Sequence, residues 1–236
     1  MKNEEMLSRI RELGINELKE KYKLLERPIQ PKFKNLTING MGFNINQYEI
    51  IGVGNFAIMD CSTPFFQMIT CILTSFYKDL PLLSFDYILK GDKRQSIIEV
   101  DSLVTDKNNE MHKECIKKFK ENLDSLKLEE NEVKPCWYDD IKEASIDKTG
   151  SEADDDPILN LLKNMIQTFK EYEQKYDYLD IDKRVKKYNI TREYTTNLVE
   201  KGGISTNMFK IAIGEDTTKE FYYTILFGTD CFKPNY

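Results

Sequence analysis

Apolar residues recur at helical spacing between residues 4 and 25, at Met6, Ile10, Leu13, Leu18, Tyr22 and Leu25, with a break at Gly14. Pro28 and Pro31 end that run, so residues 1–33 read as an N-terminal helical segment. From Asn35 the period falls to two. Leu36 and Ile38 alternate with polar neighbours, Gly40 and Gly42 mark a turn, and Phe43 to Val53 and Asn55 to Cys61 continue as strands. Phe65 to Phe76 is almost wholly apolar, which suits a buried strand or a buried helix; Pro64 and the β-branched Ile69, Thr70, Ile72 and Thr74 favour the strand. Leu82 to Lys90 and Gln95 to Val104 flank Gly91-Asp92-Lys93-Arg94 and predict a hairpin.

In the second half the helical period returns. Cys115, Phe119, Leu123 and Leu126 predict a helix over 110–126, followed by a short strand near Val133 to Tyr138 and a mobile, acidic loop over 142–156. Asp156-Pro157 supplies a capping acid and a first-turn proline for a helix whose stripe runs from Ile158 to Tyr176. A further helix covers about 183–200, and two short ones fill 204–227, parted by Gly214. Helix, adjacent strands, then helices predict an α/β fold: a three-layer α/β/α sandwich with a central antiparallel sheet, as one domain over 1–236.

Composition narrows the function classes. Of 236 residues, 40% are hydrophobic, and 13 Tyr with 13 Phe supply an aromatic core. No run approaches the roughly 20 apolar residues of a membrane span, and Met1 to Arg11 lacks the apolar stretch of a secretory signal, so a cytoplasmic protein is expected, with no membrane partner. A net charge of −6 and the lack of any base-reading motif argue against nucleic acid. The five cysteines show no C-x-x-C spacing, so no metal site is expected. His112, the single histidine, excludes two-imidazole mechanisms and is expected at a solvated helix start. Gly52-x-Gly54 lacks the third glycine of a dinucleotide fingerprint. The basic runs Lys183 to Lys187 and Lys19 to Arg27 are either solvated helix faces or a docking patch for an acidic protein.

Asp86 is the chemical anomaly. It lies within Leu82-Leu83-Ser84-Phe85-Asp86-Tyr87-Ile88-Leu89, where a carboxyl must be paired, hydrogen-bonded, exposed on an open sheet face or at work in a cavity. A hairpin loop of two or four residues puts Asp86 on one face with Glu99 and Asp101; with four, Asp86 lies directly opposite Glu99, and an odd loop reverses the parity. Carboxyls sharing a face repel when ionised, so one keeps its proton to higher pH, as a general acid needs. The alternative is a wet face. On the helix near 183–200, Arg192 and Thr195 sit where apolar residues are expected; Arg192 either clamps a ligand carboxylate or snorkels at the stripe's edge.

Two blocks carry a family resemblance. The first is Asp79-Leu80-Pro81-Leu82-Leu83-Ser84-Phe85-Asp86. The second runs from Tyr194 to Gly203, through Met208-Phe209-Lys210 and Ile213-Gly214-Glu215-Asp216, to Ile225-Leu226-Phe227-Gly228. In this order they resemble the ferredoxin-dependent bilin reductases, at the distance of a remote relative. The resemblance implies an α/β/α sandwich holding a linear tetrapyrrole such as biliverdin between sheet and C-terminal helices. It also implies no bound cofactor, with electrons delivered singly by reduced ferredoxin or flavodoxin through radical intermediates. Asp86 takes the place of the family's proton donor, supported by Glu99. Thr70 stands where some members carry histidine, Asp101 shares the sheet face, and Tyr188, Arg192, Thr195 and Met208 are implied on the opposite wall. The chain departs from the pattern at Gly202-Gly203, where many members carry a second acid, and at Gly228, where they end in Asp. A bilin-binding protein without catalysis, and an interaction protein using its charged segments, remain as alternatives.

Overall fold

A computed structural model describes residues 1–203 and 205–235. The elements are α1 (Asn3–Lys19), β1 (Leu24–Arg27), α2 (Pro31–Lys34), β2 (Thr37–Ile38), β3 (Met41–Ile50), β4 (Gly54–Ser62), β5 (Gln67–Ser75), β6 (Leu82–Lys90), β7 (Lys93–Asp101) and α3 (Glu110–Ser125). They continue with β8 (Glu129–Glu130), β9 (Lys142–Ser151), α4 (Asp155–Lys175), α5 (Ile181–Lys201), α6 (Thr206–Ile213) and α7 (Glu215–Phe221). The strands form an antiparallel sheet in the order β1-β3-β4-β5-β6-β7-β9-β8, with β2 paired to β3 alone. Each connection from β3 to β7 joins neighbours, so local pairing builds most of the sheet.

Strand alternation divides the interior in two. Leu83, Phe85, Tyr87 and Leu89 of β6, with Ile98 and Val100 of β7, face α1, α3 and α4 and join a continuous apolar core with Met6, Phe119 and Phe169. The opposite face meets α5, α6 and α7 through Met59, Ile72 and Leu82 packed on Leu198, Phe209 and Phe221. This second face also carries polar residues, and the helices do not close over all of it. The three-layer sandwich is therefore as the sequence predicts. No helix among the described residues is long and apolar enough to cross a membrane.

Several boundaries differ from the sequence reading. The first helix ends at Lys19, and Leu25 lies in β1, the sheet's edge, paired with Glu49. Val133 to Tyr138 forms no strand. The segment expected as a mobile acidic loop is instead β9, hydrogen-bonded along β7 from Lys93 to Asp101. Its polar composition misled because β9 lies beside the edge and keeps much of its length half-exposed. The following helix starts at Asp155, and a Ser151–Asp154 capping box shapes its entrance in place of the Asp156-Pro157 cap. His112 is buried rather than solvated: α3 turns it inward, where Nε2 lies 2.8 Å from Ser102 Oγ and 3.2 Å from Glu143 Oε2. The paired short helices occur as α6 and α7, parted by Gly214; position 204, where that span was expected to begin, lies outside the described residues.

Candidate functional site

The β6–β7 hairpin sets the site. Its loop holds two residues, Gly91 and Asp92, with Lys93 and Arg94 already in β7. Gly91 takes φ +62° at the first corner, a conformation glycine reaches without a Cβ clash. The resulting register pairs Asp86 with Ile97 and Ser84 with Glu99. Asp86, Glu99 and Asp101 therefore share the face beneath the C-terminal helices, with Glu99 diagonal to Asp86. Thr70 of β5 stands directly opposite Asp86.

A cavity of about 60 Å³ lies between this face and the helices. Thr70, Ser84, Asp86 and Glu99 line its floor; Tyr138, Tyr194 and Tyr222 are among its walls. Protein atoms surround Asp86, yet its carboxyl keeps some surface open to the cavity. Burial pushes its pKa up to about 6, against hydrogen bonds from Thr70 Oγ1 and from Ser84 Oγ, at 3.4 Å, which favour the carboxylate.

Asp101 is fully buried and accepts a 2.8 Å hydrogen bond from the Tyr194 hydroxyl on one oxygen; its other oxygen has no partner among the described residues. Burial raises Glu99 well above the carboxylate range, and repulsion from Asp101 adds to this. Burial likewise raises Asp101, opposed by the Tyr194 hydrogen bond. Tyr194 stabilises the anion on Asp101 and Lys142 the anion on Glu99, so the retained proton belongs to the pair. Lys142 Nζ stands 3.5 Å from Glu99 and 2.8 Å from Asp139. A bulge on β9 puts that ammonium there: the register steps from Val100–Ala144 to Asp101–Lys142, skipping Glu143. Without the extra residue, Glu143 would face Asp101. Instead it turns to the other face and reaches His112.

The structure thus brings together Thr70, Asp86, Glu99 and Asp101. It does not bring the expected helical residues to the cavity. Arg192 pairs with Asp230 and lies over the Tyr223 ring, 3.2 Å from its centroid, so its guanidinium is already occupied. Tyr188 lies in the same neighbourhood. Thr195 is buried and donates to the Thr191 carbonyl, and Met208 packs into the apolar layer without lining the cavity. The residues of α5 turned inward are Lys187, Thr191, Tyr194, Thr195, Leu198 and Val199, of which Tyr194 and Leu198 line the cavity. That stripe was visible as a period, but lysine and threonine disguised it. Lys187 is sequestered by donating to the carbonyls of Leu80 and Leu103, and burial lowers its pKa to about 8. Tyr138, Tyr194 and Ser84 were missed.

No protein-family model matches the chain, and no curated protein matches it by sequence. Among solved structures, tomato phytochromobilin synthase in complex with biliverdin superposes with a TM-score of 0.77 at 15% identity, covering 97% of this chain and 85% of that one. The resemblance carried by the Asp79–Asp86 and C-terminal blocks thus extends to the tertiary structure: the chain has the fold of a bilin reductase, at the sequence distance of a remote relative.

Proposed function

We propose that the protein reduces a linear tetrapyrrole of the biliverdin type, with Asp86 as proton donor and an external one-electron carrier, reduced ferredoxin or flavodoxin, as reductant. The observation that carries this reading is the Asp86 carboxyl itself. It is held near pKa 6 on the floor of a cavity, within a fold shared with a protein crystallised with biliverdin. Reducing one double bond consumes two electrons and two protons. Asp86 delivers the first proton to the pyrrole system as the first electron arrives. Glu99, the other carboxyl lining the cavity, is raised by burial and by Asp101 and supplies the second. Thr70 and Ser84 orient Asp86, and Tyr194 stabilises the anion on Asp101.

Titration with biliverdin, followed by reduced ferredoxin, tests the proposal. Wild type should shift the bilin spectrum on binding and then bleach it. Asp86→Asn should bind equally and stall at a one-electron-reduced radical; normal turnover by this variant would remove Asp86 as donor. Gly203 favours a second reading, since it lines the cavity with no acid of its own. On that reading the protein holds a bilin without reducing it, and the spectral shift occurs without bleaching.

A further inference from the structure

Beside the Asp86 cavity lies a larger hollow of about 340 Å³ on the same sheet face, over β6, β7 and β9. Ile88 and Ile97 form its apolar floor, and the segment from Val133 to Tyr138 forms its wall. The two spaces share Glu99 and Tyr138, so they adjoin. The wall is anchored: Trp137 Nε1 donates to the Gly202 carbonyl at 2.7 Å, tying it to the end of α5.

Volume and charge then constrain how a tetrapyrrole sits. The inner cavity of about 60 Å³ has room for about four water molecules, far short of four pyrrole rings. It is also lined by Asp86 and Glu99, with no lysine or arginine, so a ligand carboxylate there would find no cationic partner. The outer hollow differs. Lys142 is engaged with Asp139 and Glu99, and Glu132 also lines the space, but Lys134 is exposed on the wall and forms no ion pair among the described residues. Asp147, at the far end, already accepts from the amides of Gln95 and Asn131.

We infer that the bilin lies across both spaces, with one end beneath the helices at Asp86 and its carboxylate arms in the outer hollow on Lys134. This deepens the proposed function and rests on it. The carboxylate partner is then a flexible lysine on the wall, in place of Arg192, whose charge Asp230 already neutralises.

The test is a visible-spectrum titration of the full chain with biliverdin and with its dimethyl ester, using wild type, Lys134→Glu and Ile97→Trp. Reversing an exposed charge removes one weak attraction and adds a repulsion, so Lys134→Glu should bind biliverdin about tenfold more weakly and bind the ester as wild type does. Ile97→Trp fills the hollow and should weaken both ligands. Lys134 is exposed, so its variant decides the matter if Ile97→Trp does not fold. Equal biliverdin affinity for Lys134→Glu and wild type, or an equal loss with the ester, overturns the inference and leaves the proposed function standing. Undiminished binding by a folded Ile97→Trp overturns it in the same way. No spectral change with wild type overturns both.

Discussion

Thr70 and Asp86 face each other across β5 and β6, and the threonine hydroxyl donates to Asp86 Oδ1. This bond opposes the burial that raises Asp86, because it stabilises the charged form. Thr70→Val keeps the shape and deletes the donor. A hydrogen bond to a charged group is worth about 1.5–3 kcal/mol, so the pKa of Asp86 should rise by about one unit or somewhat more. The measurement is the pH dependence of bilin reduction. The alkaline limb should move to higher pH in the variant; an unmoved limb would mean that Asp86 does not control it.

Asp86 also carries a stability cost with a defined pH window. Its pKa is about 6 in the fold, against about 3.8 as a free carboxyl, so between these values the folded state binds the extra proton. Stability linked to Asp86 is full below about pH 4 and is lost as pH rises through about 6. Asp86→Asn removes the ionisation and keeps an acceptor for Thr70. Allowing for the surface Asp86 shows to the cavity, the variant should be more stable than wild type by about 2 kcal/mol above pH 7, and the gap should close near pH 4. Urea unfolding at pH 4 and pH 8 measures both ends. A constant gap would show that the effect is packing rather than titration.

How much of this could be seen in the sequence differs from residue to residue. The placement of Asp86 and Glu99 on one face followed from strand parity and an even hairpin loop, because side-chain alternation is strict once a turn is fixed. The identity of the cross-strand partner was not legible, since two- and four-residue loops preserve parity but shift the pairing by one residue on each strand. Lys142 was hidden altogether. It reaches Glu99 only because Glu143 is bulged out of the ladder, and a bulge leaves no periodic trace. The site helix was placed correctly, and of its two polar candidates Thr195 is turned inward while Arg192 is not. Arg192 and Thr195 stood out as polar residues in a greasy stripe, while the inward stripe was itself part polar, with Lys187 and Thr191 satisfied by backbone carbonyls.

Tyr194 is the residue through which α5 reaches the carboxyl pair. Among the described residues its hydroxyl alone hydrogen-bonds the Asp101 carboxylate, and the other oxygen has no partner there. Tyr194→Phe preserves the ring that packs edge-on to Tyr138 and Phe227 and tilted against Trp137 and strands a buried carboxylate. The expected loss is about 2 kcal/mol at pH 8, shrinking as acid protonates the pair. Denaturant unfolding at pH 8 and at pH 5 measures it. A loss independent of pH would place the effect in the ring packing.

Gly228 completes the C-terminal block, and its reason is steric. It follows the π-turn Tyr222–Leu226 in a left-handed conformation, φ +69°. A Cβ there would stand 2.5 Å from Asn55 Cγ. Asn55 is fully buried on β4 and has no freedom to retreat: its amide donates to the carbonyls of Ile225 and Leu226, and its Oδ1 accepts from Gln47. The glycine therefore lets the last helical turn close onto the start of β4 through Asn55. Gly228→Ala must displace that amide as well as adopt a strained backbone, which together cost about 2–4 kcal/mol. Asp at this position, as in the relatives the block resembles, should cost at least as much in this chain. Asn55→Ala alone, which removes the obstacle, should reduce the further penalty of Gly228→Ala to that of the backbone, about 1–2 kcal/mol. A double-mutant cycle read by urea unfolding decides this; additive losses would mean that the two residues do not meet.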